Sequence, residues 1–342
     1  MMVPSRSSSA ALGKERVNEN LNCWDGKGDD SLKGAVNRSD NTARAGQLAH
    51  CTRRNPTNDA IHWQHVIGIV GGLGPHAHIE LEKALLEATA RLLNRPPQDQ
   101  DYPAWRLASF PATPDRTLAL LGLGPSPLPW LERSVRILTS GARGFQADFI
   151  VIACITAHAY LEELQKRVAV PVLDMVAETI RAASDLGARR LGVLATTGAL
   201  QAGIYQEAAA RIDPTLEITS LLSLNDGDRS GEWLQEHLVM EPVYGPQAVT
   251  GRAGGGLKSG LAPGPDGAGF REPLLEAVQL LEAAGAEIVI LGCTELPMVL
   301  GQGEWKGAPL LDPLQVIATA AVKIASGAWP LPVVAALASH PR

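Results

Sequence analysis

From about residue 65 onward, short apolar runs alternate with longer stretches in which apolar residues recur every three or four positions. The runs are typical of buried strands, and the longer spacing is typical of amphipathic helices. Strands are predicted at 66–70, 105–110, 149–153, 170–173, 190–195, 217–221, 287–291 and 309–311. Helices are predicted near 77–93, 129–143, 157–168, 176–187, 202–211, 271–284 and 314–326. This alternation indicates βαβ units and therefore an α/β fold with parallel sheets flanked by helices.

Two regions lack this pattern. Residues 1–62 are rich in Ser, Asn, Gly and mixed charge, and they offer too little apolar surface to order themselves. A disordered N-terminal tail is predicted there. Residues 249–269 are rich in Gly and Pro and predict a mobile loop.

The chain contains an internal repeat. Residues 147–154 (ADFIVIAC) match residues 286–293 (AEIVILGC) position by position in character. Each copy is followed by a predicted helix and then by a related tetrapeptide, PVLD at 171–174 and PLLD at 309–312. Each half therefore carries one cysteine, Cys154 or Cys293, at the carboxyl end of a strand. Open α/β sheets bind ligands at that end, so facing halves would aim both thiols at one cleft.

Two cysteines on opposite sides of a cleft suit proton transfer to and from the two faces of one carbon. A thiol has an ordinary pKa of roughly 8.5, which a helix N-terminus can lower towards neutrality. Each cysteine here lies between a strand end and a predicted helix start, where peptide N–H groups favour an anion. Glu295 and His158 are nearby candidates for tuning or orienting the thiols. A cysteine ending a strand is commonly a small buried hydrophobe, but equivalent repeat positions favour function.

Composition and charge exclude several classes of protein. The net charge is −6, with no stripe of Lys and Arg interleaved with aromatics, so no nucleic-acid partner is expected. No apolar run approaches the roughly 18 residues of a membrane helix. Four cysteines do not indicate a disulfide framework, and a reduced, cytoplasmic protein is expected. His76 and His78 lie two residues apart without a Cys or carboxylate cluster, so no metal site is expected.

Six segments together resemble one known family. They are IGIVGGLGP at 67–75, PDRT at 114–117, CITAH at 154–158, LATTG at 194–198, GCTE at 292–295 and LLDP at 310–313. Over residues 65–328 the chain resembles the aspartate/glutamate racemase family, in particular the aspartate racemases that work without pyridoxal phosphate and the broad-specificity amino-acid racemases. The resemblance implies interconversion of L- and D-amino acids without a cofactor, in a protein that is often a homodimer.

The resemblance also implies an architecture and residue roles. It implies two pseudo-symmetric domains, which we expect over 65–172 with 301–328 and over 173–300, and an active site in the cleft between them. It implies that Cys154 and Cys293 are the catalytic acid/base pair. Arg116 would receive the substrate side-chain carboxylate, for which a planar guanidinium is suited. Five further residues are expected to contact the substrate, either because the resemblance implies it or because they lie near the cysteines. They are Lys258, Thr156, Thr197, Thr294 and Gly74.

Two departures from the family pattern affect the choice of substrate. Ile155 occupies a position where the family usually has Asn, and an apolar side chain donates no hydrogen bond. The strand before PDRT ends in Ser109 and Phe110, where aspartate racemases tend to carry asparagines. The preferred amino acid therefore stays open. So do two other functions: an isomerase or decarboxylase acting on a dicarboxylate or hydantoin, and a non-catalytic protein that binds a small ligand.

Overall fold

The computed structural model describes residues 61–245, 255–259, 268–301 and 305–334. All of them belong to one compact unit, Asp59–Arg342. The predicted tail, apart from residues 61–62, lies outside the described residues, and so do Cys23 and Cys51. Most of the predicted loop at 249–269 lies outside them as well.

The strands form two parallel sheets and one short antiparallel pair. The first sheet has the order β2-β1-β3, and the second has the order β5-β4-β8-β9. The parallel strands are β1 (Ile67–Gly71), β2 (Trp105–Ser109), β3 (Phe149–Ile152), β4 (Arg190–Ala195), β5 (Glu217–Ser220), β8 (Ile288–Gly292) and β9 (Leu310–Leu311). The antiparallel pair is β6 (Asn225–Asp226) and β7 (Arg229–Ser230). Seven of the predicted strands are confirmed to within two residues, whereas 170–173 makes only one bridge, from Val172 to Ile150.

Twelve α-helices lie in the described part of the chain. They are α1 (Pro75–Leu93), α2 (Arg116–Leu120), α3 (Leu128–Leu138), α4 (Leu161–Gln165), α5 (Met175–Asp185), α6 (Thr197–Gln201), α7 (Ile204–Ile212), α8 (Gly231–Gln235), α9 (Glu241–Tyr244), α10 (Ala268–Ala283), α11 (Pro297–Leu300) and α12 (Pro313–Ala325). A π-helical turn, Glu236–Met240, joins α8 to α9. None of the described helices is both long and apolar enough to cross a membrane.

The strands β1, β3 and β8 are buried on both faces, and one face of each contributes to a shared core. In β3, Phe149 and Val151 join the shared core, while the alternate residues pack towards α3. In β8, Ile288 and Ile290 join the same shared core, while the alternate residues pack towards α10. Strands buried on both faces read as continuous apolar runs, which is why the sequence pattern located them.

The sequence repeat corresponds to a repeat in topology. In the first half β3 is bridged by Val172, and in the second half β8 pairs with β9 at the equivalent place. Asp174 and Asp312 then cap the following helices, accepting hydrogen bonds from the backbone N–H groups of Ala177 and Leu314. Although β9 belongs to the second sheet, α12 packs against α1 of the first half. The domain boundaries proposed from the sequence stay a prediction.

Several predicted helices differ from the observed ones. The helix expected over 157–168 is a 3₁₀ segment, Ile155–Tyr160, followed by the short helix α4. The helix expected over 202–211 is confirmed as α7, and Gly203, in a left-handed conformation, separates it from the short helix α6, which was not predicted. The helical segment over 231–244 was not predicted. Its turns are short and include a π-helical turn, so its apolar residues do not follow a regular helical period.

The shared core predicts a large stability effect at β3. Phe149 is 0% exposed, so Phe149→Ala should lower the free energy of unfolding by about 3–5 kcal/mol through lost apolar contacts and a residual cavity. Urea unfolding followed by circular dichroism measures this change. Phe145→Ala is the matched control, because Phe145 is 74% exposed and should change stability by less than about 0.5 kcal/mol. Equal effects at the two positions would contradict the described core.

Candidate active site

The turn after β8 carries a buried carboxylate bonded to a thiol. Cys293 Sγ donates a hydrogen bond to Glu295 Oε2 over 3.0 Å, and Thr294 Oγ1 donates to the same oxygen over 3.1 Å. The other carboxylate oxygen, Oε1, accepts from Lys258 Nζ over 3.1 Å. Glu295 is only 1% exposed, so these three donors replace the water that its charge would otherwise need.

Gly74 allows this carboxylate to reach its position. The residue has φ of 130°, and a Cβ built there would lie 2.6 Å from Glu295 Oε1. Gly74 therefore provides space for Glu295, and its contact with a substrate stays a prediction. A side chain at residue 74 would be strained by its backbone conformation and would displace the carboxylate.

Glu295 and Lys258 each stabilise the charged form of the other. Burial alone would raise the pKa of Glu295, but Lys258 and the hydrogen bonds to the carboxylate hold that pKa below its usual value. Burial would lower the pKa of Lys258, but Glu295 is the largest influence that holds it well above its usual value. Lys258 and Glu295 thus form a mostly buried ion pair, with the lysine side chain 17% exposed.

The thiol of Cys293 differs from the sequence expectation. Burial and the adjacent Glu295 carboxylate raise its pKa well above the usual value, although Lys258 partly opposes this. The expectation that the strand-to-helix position would lower this pKa is wrong for Cys293. Its turn leads to α11, which has four residues and begins only at Pro297, so no long helix directs its N-terminus at the sulfur. The dominant charge near the sulfur is negative.

Arg116 is buried beside the other cysteine. It is 6% exposed and begins α2, and its guanidinium donates to the backbone carbonyls of Leu73 and Pro114. Burial would lower the pKa of Arg116, but the Cys154 side chain, first by charge and also by a hydrogen bond, helps to raise it. Nε of Arg116 is buried and has no hydrogen-bond partner in the described part of the chain. Arg116 is therefore not a surface residue of a turn.

Cys154 precedes the 3₁₀ segment after β3 and is 3% exposed. His158 contacts the backbone of Cys154, because its Nδ1 lies 3.0 Å from the Cys154 carbonyl oxygen. The His158 ring also lines a separate cavity of about 950 Å³ bounded in part by Asp174 and Arg211. His158 is thus placed to hold the turn after β3.

Tyr205 and Thr156 make buried hydrogen bonds beside the two cysteine turns. Tyr205 donates a hydrogen bond to the carbonyl of Gly292, the residue before Cys293, over 3.1 Å. Burial, and then the charges of Cys293 and Cys154, raise the Tyr205 pKa well above its usual value. Thr156 of the first half hydrogen-bonds Thr196 of the second, with 3.1 Å between the hydroxyl oxygens.

The three threonines predicted to contact a substrate already contact other protein groups. The hydroxyls of Thr156 and Thr294 already have protein partners, Thr196 and Glu295. The backbone N–H of Thr197 contacts Met240 Sδ at 3.3 Å. Their roles towards a substrate stay predictions.

Ile155 has a structural role in addition to being a departure from the family pattern. It is 2% exposed and belongs to the core shared by the two sheets. Burial in this apolar core gives the branched side chain a packing function at a position where the family usually has Asn.

Sequence reasoning missed Tyr244 and Tyr205. Both lie on helices of the second half that carry no recognisable motif, and both reach the site through tertiary packing. Tyr244 contacts the PDRT segment with its hydroxyl and Lys258 with its ring. In the residues described, no group of three or more His, Cys, Asp or Glu side chains is arranged to hold a metal ion.

The fold and the site define a repeated α/β protein with one buried cysteine at the equivalent strand end of each half. Within that class, the family model described as Asp/Glu/Hydantoin racemase matches residues 70–321. The chain belongs to this family.

Similar proteins agree with this assignment. A glutamate racemase of Corynebacterium kroppenstedtii is 29% identical over 52% of this chain and 52% of its own length. The broad-specificity amino-acid racemase RacX of Bacillus subtilis is 30% identical over 42% of this chain and 59% of its own length. The chain thus spans about half the length of the curated relatives it matches. The aspartate racemase of Picrophilus torridus has the same fold, with a TM-score of 0.55, 21% identity, and coverage of 77% of this chain and 95% of that one.

The carboxylate beside Cys293 predicts a measurable thiol property. Near pH 8.5, where an ordinary thiol ionises, Cys293 should remain protonated and react slowly with iodoacetamide. Glu295→Gln removes the negative charge at constant size, so the pH midpoint of alkylation at Cys293 should fall. Peptide mass spectrometry across a pH series measures this midpoint.

Glu272→Gln is the matched control, since Glu272 is exposed. The midpoint at Cys293 should not move in this variant. A midpoint that stays constant or rises in Glu295→Gln would show that Glu295 does not hold the proton on Cys293.

Proposed function

We propose that this protein is an amino-acid racemase that interconverts L- and D-enantiomers by proton transfer between two cysteines, without pyridoxal phosphate. The observation that carries the proposal is the pairing of Cys154 and Cys293. They end equivalent strands of the two halves, and their charges influence the same buried hydroxyl of Tyr205. Family membership and racemases among the similar proteins support the same reaction.

In this mechanism one cysteine acts as a base while the other acts as an acid. A thiolate removes the Cα proton and becomes a thiol. The electron pair of the broken Cα–H bond stays on the substrate, where it is delocalised into the carboxylate attached to Cα. The opposite thiol then donates its proton to the other face of Cα and becomes a thiolate. The substrate is inverted, and no electron leaves the system. Such transfer is efficient when the base lies within hydrogen-bond reach of the proton on one face of Cα and the acid lies equally close to the opposite face.

The surroundings of Cys293 favour a protonated thiol at rest. Its Sγ donates a hydrogen bond to the Glu295 carboxylate, and burial together with this adjacent anion raises its pKa. We therefore assign Cys293 as the resting acid, which leaves Cys154 as the base that acts first.

Two cations favour a substrate with two carboxylates. Arg116 and Lys258 come from different halves, yet they are close enough that the charge of Arg116 opposes protonation of Lys258. An acidic amino acid such as aspartate would supply one carboxylate to each. Nε of Arg116, buried without a partner in the residues described, is a further donor on the Arg116 side.

Hydrogen exchange at Cα is the direct test. Purified protein in D₂O should incorporate deuterium at Cα of aspartate, while the enantiomers converge to equal amounts. Nuclear magnetic resonance measures the first and chiral chromatography the second. Retention of Cα–H across aspartate, glutamate and a panel of neutral amino acids would refute the racemase proposal. Loss of a carboxylate instead would indicate a decarboxylase.

Each thiol should be required for full interconversion. Cys154→Ala and Cys293→Ala each remove proton access to one face of Cα, and loss of a general acid or base typically costs about 10²- to 10⁴-fold in rate. Chiral chromatography measures the residual racemisation. Cys51→Ala, outside the described residues, is the control for loss of a thiol and should racemise like the parent. Full activity in either Cys154→Ala or Cys293→Ala would contradict the two-thiol mechanism.

Arg116 should matter most for acidic substrates. Arg116→Ala removes a charge-assisted contact, so kcat/KM for aspartate should fall by about 10- to 100-fold relative to a neutral amino acid. Steady-state kinetics on the two substrates measures the ratio. Arg136→Ala is the control, because the Arg136 side chain is 72% exposed. Equal losses on acidic and neutral substrates would show that Arg116 does not bind the side-chain carboxylate.

A further inference from the structure

Tyr244 ends α9 and lies between the two cations of the site. Its hydroxyl is 3.2 Å from Asp115 Oδ2 and 3.0 Å from Thr117 Oγ1, the two neighbours of Arg116. Asp115 also caps α2, accepting from the backbone N–H of Leu118 over 2.9 Å. The hydroxyl of Tyr244 therefore braces the turn that carries Arg116.

The ring of Tyr244 contacts the other cation. Lys258 Nζ lies 5.2 Å from the ring centroid, a cation–π distance. The segment bearing Lys258 also packs closely on the end of α9, because a Cβ at Gly256 would lie 2.6 Å from the carbonyl oxygen of Val243. Tyr244 and Lys258 are thus held together by backbone packing as well as by the ring.

Separate contacts hold each cation. Glu295 restrains Lys258, and the carbonyls of Leu73 and Pro114 restrain Arg116. Tyr244 differs from these partners because it contacts both the turn that carries Arg116 and Lys258 itself.

We propose that Tyr244 is a positioning residue that holds Arg116 and Lys258 at the spacing required by the two carboxylates of an acidic substrate. Tyr244 thereby sets the preference for dicarboxylates over monocarboxylates. This inference rests on the proposed function for its choice of ligand, and it extends that function to a residue on neither cysteine turn.

The test uses a ligand that cannot be racemised. Succinate has two carboxylates and no amino group, and butyrate is its monocarboxylate counterpart. Titration calorimetry on the full chain compares the parent with Tyr244→Phe, which loses only the hydroxyl and keeps the ring over Lys258. Succinate binding should weaken by about 3- to 10-fold, the range that one hydrogen bond allows, while butyrate binding should change by less than about 2-fold. Tyr244→Leu, which also loses the ring, should weaken succinate binding further.

Kinetics on aspartate separate positioning from general support of the fold. In Tyr244→Phe, KM should rise by the same factor as the succinate dissociation constant, while kcat stays within about 2-fold of the parent. A residue that only stabilises the fold would lower kcat through loss of active protein and leave the succinate-to-butyrate ratio unchanged. Tyr102→Phe, outside the site, is the matched control and should change neither quantity.

The possible results distinguish a failure of the positioning role of Tyr244 from a failure of the racemase proposal. Equal weakening of succinate and butyrate, unchanged succinate binding in Tyr244→Phe, or no preference for succinate in the parent would overturn the inference. A Tyr244-dependent succinate preference without Cα exchange in any amino acid would instead refute the racemase proposal and leave the positioning role intact.

Discussion

The site depends on how one buried negative charge is compensated. Glu295 is almost fully buried, and an ionised carboxylate in such a position is costly unless donors surround it. Lys258, Cys293 and Thr294 supply those donors, and Gly74 leaves the space. The glycine turn after β1, the turn after β8 and the segment at 255–259 therefore meet at this one carboxylate.

A symmetric backbone here carries an asymmetric site. The residue two positions after each cysteine is Thr156 in the first half and Glu295 in the second. The charged groups that interact with the two cysteines also differ: the Arg116 guanidinium interacts with the side chain of Cys154, whereas the Glu295 carboxylate accepts a hydrogen bond from Cys293. The two thiols therefore occupy equivalent places in the fold but have charged neighbours of opposite sign.

The sequence was most informative where local pattern and burial coincide. Strands such as β3 and β8 are covered on both faces, so their apolar runs were recognisable, and their shared ending revealed the repeat. Prediction was poorer for Ile155–Tyr160 and for Gly231–Gln235 with the turns after it, because 3₁₀ and π-helical turns do not keep the α-helical period. Motif resemblance identified Arg116, and Glu295 became a candidate because it lies two residues after Cys293.

By itself the sequence determined the α/β class, the position of both cysteines at strand ends, and the family, because these depend on runs of neighbouring residues. Only the tertiary structure decided that Glu295 keeps the proton on Cys293, that Arg116 is buried and interacts with Cys154, and that Tyr244 contacts both the turn that carries Arg116 and Lys258. These relations pair residues far apart in the chain, and the pKa of a buried group depends on which distant charge packs against it.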